Sequence, residues 1–93
     1  MKLRYALGEV LRETRTDKFM TLRKLSEKSS VALGYISEVE RGSKEASSEI
    51  LECLAKSLNL EVADLIIMAG WKMKVGNEAF DQNLRLDLEL TKA

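Results

Sequence analysis

Apolar residues recur along this chain at the three- and four-residue spacing of helices packed around one core. Leu3, Ala6, Leu7, Val10 and Leu11 predict a first helix over residues 3–16, with Arg12 and Arg15 off its apolar stripe. Thr16 to Met20 is a polar connector. Thr21 then suits an N-cap, because its hydroxyl can accept from one of the first free amides of a helix. Leu22 and Leu25 face one way and leave Arg23, Lys24 and Lys28 on the open side. The pattern breaks at Ser29 and Ser30, whose hydroxyls compete for backbone bonds. It restarts with Val31, Ile36 and Val39, and Gly42 suits a left-handed stop just past that helix. Gly42 to Ser47 reads as a turn that packing alone must stiffen, since the chain has no proline. Ser47 or Ser48 caps a fourth helix that buries Ile50, Leu51, Leu54, Ala55 and Leu58. Asn59 ends it, Leu60 plugs the gap, and Glu61 opens a fifth helix with Val62, Leu65, Ile66 and Ala69 facing in. Gly70 and Trp71 mark the end of that unit.

The remaining segment, residues 72–93, supports two periods. Leu84, Leu86, Leu88 and Leu90 alternate with Arg85, Asp87 and Glu89, as in a strand. Phe80, Leu84 and Leu88 also fit an i, i+4 stripe, and Leu, Arg and Glu are strong helix formers. The expectation is a helical extension, with an extended strand as the alternative. Apolar side chains beyond a closed bundle need cover. Phe80, Leu84, Leu86 and Leu88 are therefore expected to help form a two-fold interface, a frayed terminus being the bland alternative. The chain divides into residues 1–71, a bundle, and residues 72–93, a dimerisation element.

Two short helices across a tight turn, Thr21 to Gly42, form a helix-turn-helix, whose second helix can lie in a DNA major groove. Ala32, Tyr35, Ile36, Ser37, Val39, Glu40 and Gly42 match a recurring recognition-helix pattern. On these residues the chain resembles the lambda-repressor/Cro (Xre-type) family. The run Leu33 to Leu51, chiefly Leu33-Gly34-Tyr35 and Lys44-Glu45-Ala46-Ser47-Ser48, is similar to a narrower group, the actinobacterial regulators of Clp protease genes. The resemblance implies an all-α, five-helix bundle with a C-terminal extension. It also implies that Ala32, Leu33, Gly34, Ser37 and Glu38 face the groove and read bases. Arg12, Thr21, Arg23, Lys24, Lys28, Tyr35, Arg41, Ser43 and Lys44 would then flank it and meet the phosphate backbone.

The chain departs from the family at Leu33 and Gly34, where Arg, Gln or Ser is frequent. Leu33 can only pack on a thymine methyl or a sugar, and Gly34 offers backbone alone. Ser37 can donate or accept, and Glu38 can accept from a cytosine amino group. A guanine contact must come from Arg23 or Arg41. Tyr35 is divided between core and phosphate, and Glu40 is expected to hold the following turn. The family also often has a proline where Ala46 stands.

Composition changes this picture mostly by exclusion. Ninety-three residues make one domain whose modest core would benefit from a partner subunit. The chain lacks histidine, so neither metal ligation nor an activated nucleophile is expected, and no glycine cluster suggests a cofactor. Carboxylates are scattered on helix faces, and catalysis is not expected. The lone Cys53 excludes an internal disulfide and reads as a half-buried filler. No twenty-residue apolar span is present and the N-terminus lacks a signal pattern, so the expected place is the cytoplasm, without a membrane.

Net charge is zero, fifteen basic against fifteen acidic residues, and so gives no general argument for nucleic acid. Distribution gives a weak one. Arg12, Arg15, Lys18, Arg23, Lys24 and Lys28 outnumber Glu13, Asp17 and Glu27 where a helix-turn-helix would meet phosphates. The expected function is a sequence-specific transcriptional regulator, a homodimer on a palindromic operator in double-stranded DNA. The narrower resemblance implies activation of Clp protease genes, with RNA polymerase as a further partner. The alternatives are another Xre-type binder, either an antitoxin or a restriction-modification controller, and a protein-binding adaptor using the Leu33-Gly34 surface.

Overall fold

The computed structural model describes residues 1–75 of the 93-residue chain. The described residues form five helices and no strand: α1 Leu3–Asp17, α2 Leu22–Ser29, α3 Leu33–Arg41, α4 Ser48–Ser57 and α5 Val62–Val75. Phe80, Leu84, Leu86 and Leu88 lie outside the described residues.

The local signals act where the sequence puts them. The Thr21 hydroxyl accepts from the Lys24 amide at 3.0 Å, and Ser47 accepts from Ile50 at 3.2 Å. Each satisfies one orphan donor of its helix. Ser30 ends α2 in the left-handed region, and Gly42 ends α3 there with φ 77°. Asn59 takes the same conformation after α4. At the start of α5, Asp64 accepts the Glu61 amide at 3.0 Å, a link between the cap residue and the first turn.

The core joins all five helices through Leu7, Val10 and Leu11 of α1, Leu25 of α2, Ile36 and Val39 of α3, Leu54 of α4 and Leu65 and Ala69 of α5. α1 is the hub and packs on both α3 and α5. The approach of α1 to α3 depends on Gly8, where a Cβ would come within 2.5 Å of the Val39 and Glu40 carbonyl oxygens. Lys72 on α5 bridges Glu9 and Glu13 of α1 along the outer edge, at 3.4 and 2.8 Å.

Five expectations need correction. Leu3 is exposed, because at the first residue of α1 no neighbouring turn covers it. Cys53 is exposed rather than half-buried, since the buried stripe of α4 runs through Leu51, Leu54, Ala55 and Leu58. α5 does not stop at Gly70 and Trp71 but continues to Val75. Ile66, expected to face in, is 43% exposed. The inward stripe is Val62, Leu65, Ala69 and Met73, and Ile66 stands about 100° round the helix from Leu65. Ile67, Met68, Trp71 and Val75 are also exposed, so α5 is apolar on both its inner and its outer side. Finally, the turn after α3 is not held by packing alone. The Glu38 carbonyl accepts the Ser43 and Lys44 amides and the Ser43 hydroxyl, and the Tyr35 hydroxyl donates to the Glu45 carbonyl at 2.8 Å.

Gly8→Ala tests the close approach of α1 and α3. Alanine favours a helix interior, yet here its methyl must push backbone apart. The expected net loss is about 1–3 kcal/mol, read from urea unfolding. Unchanged or increased stability would show that the two helices have slack.

Candidate nucleic-acid interface

The frame of the site is a buried ion pair. Arg15, near the end of α1, donates through Nε to Glu40 Oε2 at 2.7 Å and through Nη2 to Oε1 at 3.0 Å. Its Nη1 donates to the Met20 carbonyl at 2.8 Å. One guanidinium thus ties α1 to α3 and to the corner leading into α2. The hydrogen bond to Glu40 holds the Arg15 pKa above its ordinary value, so the guanidinium keeps its charge. Arg15 belongs to the local basic excess of the sequence, and this pairing removes it from the surface charge. Glu40 is structural, as expected, but it anchors α1 rather than only the following turn.

With Ile36, Val39 and Glu40 buried, the opposite side of α3 is open. Ala32, Leu33 and Gly34 are exposed at its start, and a Cβ added at Gly34 would meet nothing within 4 Å. Ser37 and Glu38 are half-buried one turn further on, and Arg41 is exposed at the end. The polar groups on this face hold one another. Arg41 donates to the Ser37 hydroxyl, and Lys44 pairs with the Glu38 carboxylate at 3.1 Å. The Lys44 ammonium also lies 5.9 Å from the centre of the Tyr35 ring, within cation–π range. Tyr35 is half-buried against the core with its hydroxyl already bonded to Glu45. Ser43 uses its own hydroxyl to close the end of α3.

Arg12, Leu22, Ser37 and Arg41 surround a hollow of about 300 Å³ whose remaining lining is the Arg15–Glu40 pair. That pair is neutral in sum, which leaves the charges of Arg12 and Arg41 in excess. Thr21, Arg23 and Lys24 stand exposed at the start of α2. Lys28 does not join this group and lines a different hollow with Ser29, Cys53, Lys56, Ser57 and Asn59. Leu22, Arg15 and Glu40 belong to the lining although the sequence did not assign them to it. No local signal marks the Arg15–Glu40 pair, whose partners are 25 residues apart. Among the described residues there is no cluster of metal-ligating side chains, and no helix is long and apolar enough to cross a membrane.

A helix-turn-helix family profile matches residues 11–65, which includes α2, the turn and α3. The transcriptional regulator ClgR of Mycobacterium tuberculosis is 44% identical over 71 residues, covering 76% of this chain and 63% of that protein. This chain therefore spans under two thirds of that relative. The crystal structure of the clp gene regulator ClgR from Corynebacterium glutamicum superposes with a TM-score of 0.79 at 45% identity, covering 98% of this chain and 95% of that one. The restriction-modification controller protein C.Esp1396I, solved as a tetramer with its natural 35 base-pair operator, gives a TM-score of 0.69 at 29% identity, over 74% of this chain and 91% of that one.

Removing one partner of the buried pair should cost more than any surface change. Arg15→Ala leaves the Glu40 carboxylate buried and uncompensated, and about 3–5 kcal/mol of stability should disappear in urea unfolding. Glu40→Gln keeps an acceptor and should cost less. Equal, small losses for both would mean that water compensates the site.

Proposed function

Because this chain belongs to the Xre-type helix-turn-helix family, we propose that it is a sequence-specific DNA-binding transcriptional regulator. In this reading it acts as a homodimer on a palindromic operator and controls Clp protease genes. The observation that carries the DNA reading is the open side of α3 beside the hollow where Arg12 and Arg41 meet. A phosphate fits the charge of that hollow, and α3 fits a major groove. The ClgR relatives support the Clp assignment. Activation through RNA polymerase extends the same reading. A role other than catalysis agrees with relatives that are regulators. The cytoplasm is the matching location.

Within this reading Ala32, Leu33 and Gly34 provide close, apolar contact with base edges or sugar. Ser37 and Glu38 provide the polar readout once Arg41 and Lys44 turn to the DNA backbone. Arg12, Thr21, Arg23, Lys24, Tyr35, Ser43 and Lys44 form the flanking set, and Lys28, which lines the hollow beside α4, is set apart from it. Arg12, Arg23, Lys24 and Arg41 are the strongest phosphate candidates, being exposed and near the start of α2 or the hollow.

Dimerisation has two candidate surfaces. One is Phe80, Leu84, Leu86 and Leu88. The outer side of α5 supports a second, since Ile67, Trp71 and Val75 repeat every four residues and stand exposed beside Met68. Each such side chain is worth about 1.5–3 kcal/mol when fully buried, enough for a few to hold a dimer after association costs.

Two experiments test the proposal. Alanine at Arg12, Arg23, Lys24 or Arg41 should weaken binding to every DNA sequence. Each of these residues that neutralises a phosphate should also lower the salt slope by about 1 when replaced. Unaltered affinity and slope for all four would reject this placement.

A chain ending at Val75 should fold, sediment as a monomer and bind its operator about 100-fold more weakly. If it remains dimeric and Trp71→Asp separates it, the α5 side carries the interface and the C-terminal residues do not.

A further inference from the structure

A third hollow lies between the start of α1, α5 and the turn that follows α3. It has a volume of about 290 Å³, and its lining is mainly apolar: Leu7, Val39, Ala46, Leu51 and Ile66, with Leu3 at the exposed start of α1. Arg4, Lys44 and Glu45 complete it. The Lys44 charge is shared with Glu38, which leaves Lys44 largely committed. Arg4 is different. Its guanidinium lies 5.2 Å from the centre of the Tyr5 ring and forms no ion pair among the described residues, and its buried Nε has no hydrogen-bond partner. A buried donor without an acceptor is costly, so the Arg4 side chain is incompletely satisfied where it stands.

We propose that this cavity is a binding site for a small amphipathic carboxylate, its apolar chain lying along Leu7, Val39, Leu51 and Ile66 and its carboxylate on Arg4. An apolar lining with a few polar groups matches the make-up of ligand pockets, and here two cations, Arg4 and Lys44, stand against one carboxylate, Glu45. The carboxylate complements the Arg4 charge, which no side chain of the described residues neutralises. Val39 belongs to α3, and Lys44, Glu45 and Ala46 belong to the turn that follows. Occupancy is therefore felt at the base of α3 and at the Lys44–Glu38 pair.

Octanoate is a suitable probe, titrated into the full chain without DNA and followed by amide NMR, so the outcome is independent of the DNA-binding reading. Saturable shifts are expected at Leu7, Val39, Ala46, Leu51 and Ile66. Octanol, which lacks the carboxylate, should bind at least about tenfold more weakly. Arg4→Met keeps the aliphatic stem and should weaken octanoate by at least about tenfold while leaving the rest of the spectrum in place. Ala46→Leu should block the cavity and abolish the shifts. The proposal is overturned if octanoate gives no saturable shifts in the cavity, if octanol binds as well, or if the Arg4→Met protein binds octanoate unchanged. It is likewise overturned if the cavity resonances follow protein concentration alone, which would assign the surface to a second copy of the chain.

Discussion

The orientation of α3 depends on one charged contact inside the bundle. Arg15 and Glu40 form a bidentate pair, and the third arm of the guanidinium reaches the Met20 carbonyl. Taking both ions from water is expensive, and a well-packed apolar pair would often be at least as stable. What the ion pair adds is direction. A fork of hydrogen bonds is satisfied at one distance and one angle, whereas leucine against leucine tolerates sliding and rotation. Gly8 completes the constraint by letting the α3 carbonyls lie close against α1. Together they set which side of α3 faces out.

That outward side is unusual in how little charge it begins with. Ala32, Leu33 and Gly34 offer shape, and the hydrogen-bonding groups follow a turn later, already paired as Arg41 with Ser37 and Lys44 with Glu38. Such pairs are half-exposed and cost little to open in water. A phosphate offers Arg41 or Lys44 a stronger acceptor, and the released serine or carboxylate then becomes available to a base. Electrostatic attraction and readout are thereby linked in the proposed complex: the cations that hold the backbone are the ones that free the readers. Sequence discrimination would rest on close fit at the start of α3 and on one hydroxyl and one carboxylate further along.

α5 shows a different use of apolar surface. Its inner stripe closes the core through Leu65 and Ala69, while Ile67, Trp71 and Val75 remain on the outside. A helix with apolar residues on both its inner and its outer side is at rest only when both are covered. Lys72, which bridges to Glu9 and Glu13, fixes the rotation of α5 against α1 and so keeps the apolar side outward. The Glu13 hydrogen bond raises the Lys72 pKa, a contribution present at neutral pH and lost only in strong base. Being largely exposed, this bridge directs more than it stabilises.

Much of the bundle is legible in the residues, because its determinants are local. Thr21, Ser47, Gly42 and Asn59 act within a few residues of their own position, and the spacing of Leu54, Ala55 and Leu58 declares the buried side of α4 without reference to any other helix. The open set at the start of α3 follows from the resemblance to the family, and Ala32, Leu33 and Gly34 are exposed there. Pairings between distant residues are not legible. Arg15 and Glu40 each look like surface charges until two helices meet, and only their pairing shows that one cation is withdrawn from the interface. Ile66 and Leu65 are adjacent and alike in sequence, so composition alone could not say which would turn inward. Lys28 stands with Lys24 along the chain, yet α4 claims it for another hollow. Sequence determined where helices begin, end and carry apolar residues, since those preferences depend on near neighbours. The tertiary structure decided which charges are free and which apolar residues stay in water, since both depend on what the fold brings across from elsewhere.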